Sequence, residues 1–164
     1  MNGARIDVGM TAASTATAAY YASLQYAMER PQGRKLTGSG TKNVSESQSL
    51  IIGHPDVRRM LLLQKAVVEG SLSLLVECSK YADLAHVDTT DVGSNSQLLL
   101  ELLTPVAKTS PAEMGRVAIN NGLQVLGGYG YCMDFPLQQY LRDIRIMSIY
   151  EGTTGIQSLD LLGR

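Results

Sequence analysis

Glu151 is a lone carboxylate in Tyr150-Glu151-Gly152-Thr153, just past an amphipathic run. Two roles suit it. At a helix start, a carboxylate is stabilised by the macrodipole by about 0.3–1 kcal/mol. On a short linker between two helices it can serve as a general base, in a cleft whose burial raises its pKa. Upstream, Gly127, Gly128 and Gly130 follow an apolar helical run, Val117 to Leu126. The first glycine is a natural helix stop, and adjacent glycines bare the backbone to an approaching group such as a phosphate. The glycines do not form the dinucleotide fingerprint G-x-G-x-x-G, and no strand precedes them.

The other candidate groups are cations, amides and thiols. Arg5 lies in the first turn of the first helix, a poor match to the dipole and otherwise a surface cation. Arg30 ends that helix, where the dipole favours it. Asn120, Asn121 and Gln124 interrupt the apolar pattern before the glycines and are expected to find caps or interhelical hydrogen bonds. Arg142-Asp143 reads as an ion pair fastening a short helix to its neighbours. His54 is expected in a loop or cap. His54 and His86 do not make a metal site, and Cys78 and Cys132 do not suggest a disulfide framework. Cys78 falls at a core-like helical position, and both thiols fit a reducing cytoplasm.

Helices must position these groups. Residues 3–29 read as a long first helix, with Ile6, Met10, Ala13, Thr17, Tyr20, Leu24 and Ala27 as its core-facing stripe. Its many Ala and Gly residues imply close packing. Pro31 and Gly33 end it. Residues 34–53 form a polar loop carrying Arg34, Lys35 and Lys42, too long for an ordinary connection. A second helix opens at Pro55 and reaches about Ala85, burying Val57, Met60, Leu61, Gln64, Val68, Leu72, Leu75 and Cys78. After a turn at residues 87–97, a third helix begins near Ser96, kinks at Pro105 and runs to Leu126. A short helix spans Leu137 to Ile146, and a last one spans Thr154 to Leu162. The pattern predicts an all-α fold, an antiparallel up-down-up-down four-helix bundle with a short extra C-terminal helix.

The 164 residues suit one domain, with 45% hydrophobic and 18% charged residues. Net charge is −1 with no basic stripe, which argues against nucleic acid as partner. No apolar span approaches membrane length, and no signal-peptide pattern opens the chain.

LQVLGGYGY, then LRDIRI, then YEGTTGIQ resemble the C-terminal signature of the acyl-CoA dehydrogenases. ARIDVGMTAASTATAAYYASLQYAMERPQG and GHPDVRRMLLLQKAVVEGSLSLL resemble the first helices of that family's C-terminal helical domain. RPQGR and LDLLGR point to the branch that includes methylmercaptopropionyl-CoA dehydrogenase-like enzymes. The resemblance covers nearly the whole chain. It implies α,β-dehydrogenation of an acyl-CoA thioester, with Glu151 removing the α-proton and FAD accepting the hydride. It places Arg30, Gln124, Gly127, Gly128 and Thr153 as cofactor-binding residues. Gln124 and the two glycines would face the ADP part of a partner subunit's flavin. It places Arg5, Tyr150 and Gly152 at the substrate, Gly152 leaving room beside the base; Tyr131 and Tyr150 line the acyl cavity or simply pack. It further implies a homo-oligomer, dimer or tetramer, with electron-transfer flavoprotein as electron acceptor.

The sequence departs from the family in places. Asn2 stands where relatives often carry an acidic residue, and Gly155 where they carry a polar one. Gln32-Gly33 replaces a glutamine-phenylalanine pair, so an aromatic contact to the cofactor is lost or supplied elsewhere. The family has two earlier domains, one helical and one β, while this chain enters directly at the third. The expectation is therefore a piece that is inactive alone and holds flavin weakly or not at all. Two other readings stay open: a non-catalytic helical oligomerisation module, and an acyl-CoA oxidase domain.

Overall fold

A computed structural model describes residues 2–34, 40 and 45–163. Lys35, Lys42, Met1 and Arg164 lie outside the described residues. Among those described there are helices and no strands. Three long helices dominate: α1 (Asn2–Glu29), α2 (Pro55–Val87) and α3 (Asp91–Leu126). One turn of helix, α4 (Gly128–Tyr131), follows the glycine bend, then α5 (Leu137–Met147) and α6 (Thr154–Leu162). A short 3₁₀ turn, Ile51–Gly53, leads into α2, and an isolated antiparallel bridge joins Pro31 to Leu50.

Side-chain pairings fix the helix directions. Ser23 Oγ donates to Gln64 Oε1 at 2.9 Å, while Gly9 faces Leu75, so α1 and α2 run antiparallel. Gly9 meets Ala107, Gly115 meets Ala12 and Ala16, and Gly122 meets Ser23, so α1 and α3 run parallel. Ile144 reaches Gly115 and Leu137 reaches Gly122, which sets α5 antiparallel to α3. α5 packs on α1 and α3 but not on α2, so the fourth member of the bundle is a short strut of 11 residues.

Small residues let the long helices approach. A Cβ at Gly9 would fall 2.2 Å from the Ala107 carbonyl oxygen. Pro111 lies four residues beyond Ala107 and lacks the N–H that would bond that carbonyl within the helix. The bare backbone of Gly9 closes over the oxygen that Pro111 leaves unbonded. The buried face of α1 is accordingly Ile6, Val8, Gly9, Ala12, Ala13, Ala16, Ala19, Ser23 and Ala27. Met10, Thr17, Tyr20 and Leu24 of the expected stripe are only partly buried, because α1 is covered from three sides and the tightest contacts take the smallest residues.

α2 buries Met60, Leu61, Gln64, Val68, Leu75 and Cys78 as its period predicts, while Val57 and Leu72 of the same stripe are only partly buried. Glu69 and Glu77 pair with Lys65 and Lys80 on its surface. α3 starts at Asp91 rather than near Ser96, because Thr90 caps it: its hydroxyl accepts from Val92 N at 3.3 Å. Thr90→Ala is expected to lower the stability of the chain by about 0.5–2 kcal/mol, read as a lower urea midpoint with an unchanged slope. α3 continues as one helix through both Pro105 and Pro111.

Two expected polar contacts are absent. Arg142 and Asp143 are exposed and do not pair; Asp143 instead accepts from Gln139 Nε2 at 2.7 Å, one turn away on the same helix. Of the three amides before the bend, Asn120 and Gln124 are exposed, while the Asn121 side chain donates to Val117 O at 2.8 Å.

Candidate functional site

The carboxylate corner sits against the middle of α3. Glu151 is the one non-glycine residue with positive φ among those described, at 53°, and Gly152 follows at 92°. Positive φ costs a side-chain-bearing residue energy, and such strain persists only where the surroundings over-determine it. They do so here. The Gly152 carbonyl accepts from Lys108 Nζ at 2.6 Å and from Gln157 Nε2 at 3.3 Å. Gln157 Nε2 also reaches Glu151 O at 3.1 Å. Thr153 caps α6, its Oγ1 accepting from Ile156 N at 3.4 Å. Thr154 Oγ1 donates to Glu113 Oε1 at 2.7 Å, and Arg5 pairs with Asp160 at 2.6 Å, tying both ends of α6 to α3 and α1.

Glu151 itself points outward and is exposed, so this chain does not supply the burial expected around its carboxyl. Tyr150 is also exposed, its hydroxyl resting on Met147 Sδ at 3.0 Å. Tyr131 is 84% exposed. The space that Gly152 leaves bare is taken by the protein: a Cβ there would lie 2.4 Å from Gln157 Nε2. The glycine is needed for the bend and for that amide, not for an empty space beside the carboxylate.

The second cluster surrounds the glycine bend. The rise of about 1.5 Å per residue puts Lys108 and Gly127 about 28 Å apart along α3. Two grooves meet at Gln32, Leu126 and Gly127. One, of about 470 Å³, is walled by Tyr26, Arg30, Gly128 and Tyr129. The other, of about 560 Å³, adds Gln124 and His54. His54 stands at the N-cap position of α2, but its Nε2 bonds Gln32 O at 2.7 Å. Arg30 is half-buried with its guanidinium 5.4 Å from the Tyr129 ring centre, and its buried Nε has no hydrogen-bond partner among the described residues. Gly127 has φ 59°, and among the described residues nothing beyond the adjoining backbone lies within 4 Å of where a Cβ on Gly127 or Gly128 would sit. An unpartnered cationic N–H, a tyrosine face and uncovered backbone fit a flat anionic group such as the nucleotide half of a flavin.

The profile of the acyl-CoA dehydrogenase C-terminal domain matches residues 1–164. The chain belongs to that family. It is 39% identical over 164 residues to a 3-methylmercaptopropionyl-CoA dehydrogenase of Ruegeria pomeroyi, covering 100% of this chain and 27% of the relative. It is 38% identical over 164 residues to a broad-specificity linear acyl-CoA dehydrogenase of Mycobacterium tuberculosis, covering 98% of this chain and 26% of the relative. The solved butyryl-CoA dehydrogenase of Megasphaera elsdenii shares the fold at a TM-score of 0.75 and 23% identity, over 99% of this chain and 36% of that one. The chain thus spans about a quarter of the length of these curated relatives.

For an acyl-CoA dehydrogenase domain, the structure gathers the singled-out residues into two groups. Arg30, Gln124, Gly127 and Gly128 meet at the bend; Arg5, Tyr150, Glu151, Gly152 and Thr153 cluster at the corner. Reading the sequence missed Tyr129, which gives the bend an aromatic face where the sequence lacks the family's phenylalanine. It also missed Lys108 and Gln157. The one signal for Lys108 was a lysine between two prolines on an otherwise uncharged stretch of helix. Among the described residues no group of His, Cys, Asp and Glu could hold a metal ion, and no helix is long and apolar enough to cross a membrane.

Proposed function

We propose that this chain is the C-terminal domain of a flavin-dependent acyl-CoA dehydrogenase and that Glu151 is the base that removes the α-proton of an acyl-CoA thioester. The observation that carries the reading is the strained, clamped corner: backbone strain of this kind collects where geometry serves chemistry. Glu151 is held by its backbone and leaves its carboxylate free, as a base needs. The thioester carbonyl acidifies the α-C–H, and Arg5 and Tyr150 flank the approach, Gly152 acting through the bend. When bound, a flavin supplies the hydride-accepting chemistry, and the protein supplies position and polarity. Arg30, Gln124, Gly127 and Gly128 would hold the nucleotide half of a flavin, through the unpartnered Arg30 Nε and the bare backbone of the two glycines. Thr153 would contact a flavin bound at the corner, the electron acceptor would be an electron-transfer flavoprotein, and the other walls of the substrate cavity come from protein outside this chain.

A test separates cofactor binding from folding. Gly128 does not need a positive φ, and a side chain there meets open space. Gly128→Val is therefore expected to change stability by no more than about 0.5 kcal/mol. If a flavin lies over the bend, the added bulk costs about 1–3 kcal/mol of binding, about five- to 150-fold in affinity. Flavin absorbance of the purified enzyme containing this chain reads the outcome; undiminished flavin would remove the bend from the cofactor site.

An oligomerisation role follows from a separate observation. Met133 is 90% exposed and Leu162 is 83% exposed, large apolar side chains that support a reading in which a second copy packs on this chain. Both roles coexist if the flavin is shared between subunits.

A further inference from the structure

Lys108 has no part in the reaction as derived above, yet it is the largest fully buried side chain among the described residues, at 0% exposure. Buried ammonium groups are costly unless they are paired, but this one makes no ion pair among the described residues. Its bond goes to a neutral acceptor, the Gly152 carbonyl, next to the strained Glu151. Burial pushes its pKa below that of an ordinary lysine; Glu113 and Glu151 oppose that shift, and Arg5 adds to it. Gln157 is equally anomalous: it is 2% exposed, and its Oε1 has no partner among the described residues. Its Nε2 is spent on the Glu151 and Gly152 carbonyls. Two buried polar side chains, from α3 and α6, therefore converge on two successive backbone oxygens.

We propose that Lys108 and Gln157 are positioning residues that clasp the Glu151 and Gly152 carbonyls and thereby hold Glu151 in its left-handed conformation, its carboxylate aimed at the substrate. The catalytic half of this rests on the reading of Glu151 as base; the structural half does not. Neither residue touches the reacting atoms. Without the clasp, Glu151 relaxes to negative φ and its carboxylate swings away.

The test uses the flavin-loaded enzyme that contains this chain. Lys108→Met keeps the volume and removes the donor; Gln157→Leu removes the other clasp. A displacement of about 1 Å in a reacting group costs about 10²-fold in rate, so each variant should lose about that factor in kcat, with KM and flavin content unchanged. A crystal structure of either should show Glu151 at negative φ. Wild-type kcat in both variants, or Glu151 still at positive φ in both, overturns the proposal. If Lys108→Met does not fold, Gln157→Leu is judged alone by the same two readings. Glu151→Gln assayed beside them separates the premises. If that variant turns over like wild type, the base assignment falls, while the crystallographic angle still decides whether the clasp exists.

Discussion

Glu151→Gln is expected to lower kcat of the flavin-loaded enzyme by about 10²–10⁴-fold, the usual contribution of a positioned general base. Flavin content and KM should hardly change. The structure explains why chemistry and stability separate here. Glu151 is exposed, and its side chain makes no ion pair among the described residues; the corner is held through the Gly152 carbonyl by Lys108 and Gln157. Glutamine keeps the shape and loses only the ability to take a proton. The thermal midpoint should therefore match wild type, since exposed substitutions usually stay within about 0.5 kcal/mol. A stable variant with wild-type kcat would return Glu151 to the role of a carboxylate at a helix start.

Gly9→Ala sets two effects of opposite sign against each other. By propensity, alanine in a helix interior is favoured over glycine by about 0.8–1.0 kcal/mol. By packing, the new Cβ would sit 2.2 Å from Ala107 O and 2.8 Å from Leu75 Cδ2. Neither neighbour yields easily: one is backbone, and the other belongs to a fully buried leucine. Overpacking of this kind typically costs about 1–3 kcal/mol, and contact with fixed backbone belongs at the upper end. Packing should win, and the urea midpoint should fall. Gly70→Ala is the control. Gly70 is exposed on α2 with nothing within 4 Å of its Cβ position, so that variant should gain about 0.8–1.0 kcal/mol. Stabilisation by both substitutions would mean that α1 and α3 are not in close contact at this point.

The long helices could be read from the chain because their boundaries carry local chemistry. Pro55 opens α2, and its stripe of Met60, Leu61, Val68, Leu75 and Cys78 repeats at helical period. The span of α6, Thr154–Leu162, was legible to the residue. The face of α1 was harder to read. Alanine and glycine give little contrast between core and surface, so the larger residues drew the expected stripe while the smallest ones make the contact. α3 began five residues early because its cap, Thr90, precedes any buried leucine. The Arg142-Asp143 pair failed for a geometric reason: neighbours one residue apart on a helix do not face each other.

The candidate site divides in the same way. The glycines and Glu151 were visible because their types are unusual where they stand. Lys108 and Gln157 were not, because what they do depends on α3 and α6 meeting, and no local spacing encodes that. Tyr129 was hidden among the tyrosines of LGGYGY until Arg30 was found beside it.

Rapid anaerobic mixing of the flavin-loaded enzyme with an acyl-CoA tests the central claim most directly. The wild-type flavin should lose its absorbance, more slowly when the α-carbon carries deuterium, and in Glu151→Gln it should stay yellow over the time in which wild type is fully bleached. Bleaching of the variant at the wild-type rate would contradict the assignment of Glu151 as the group that takes the α-proton.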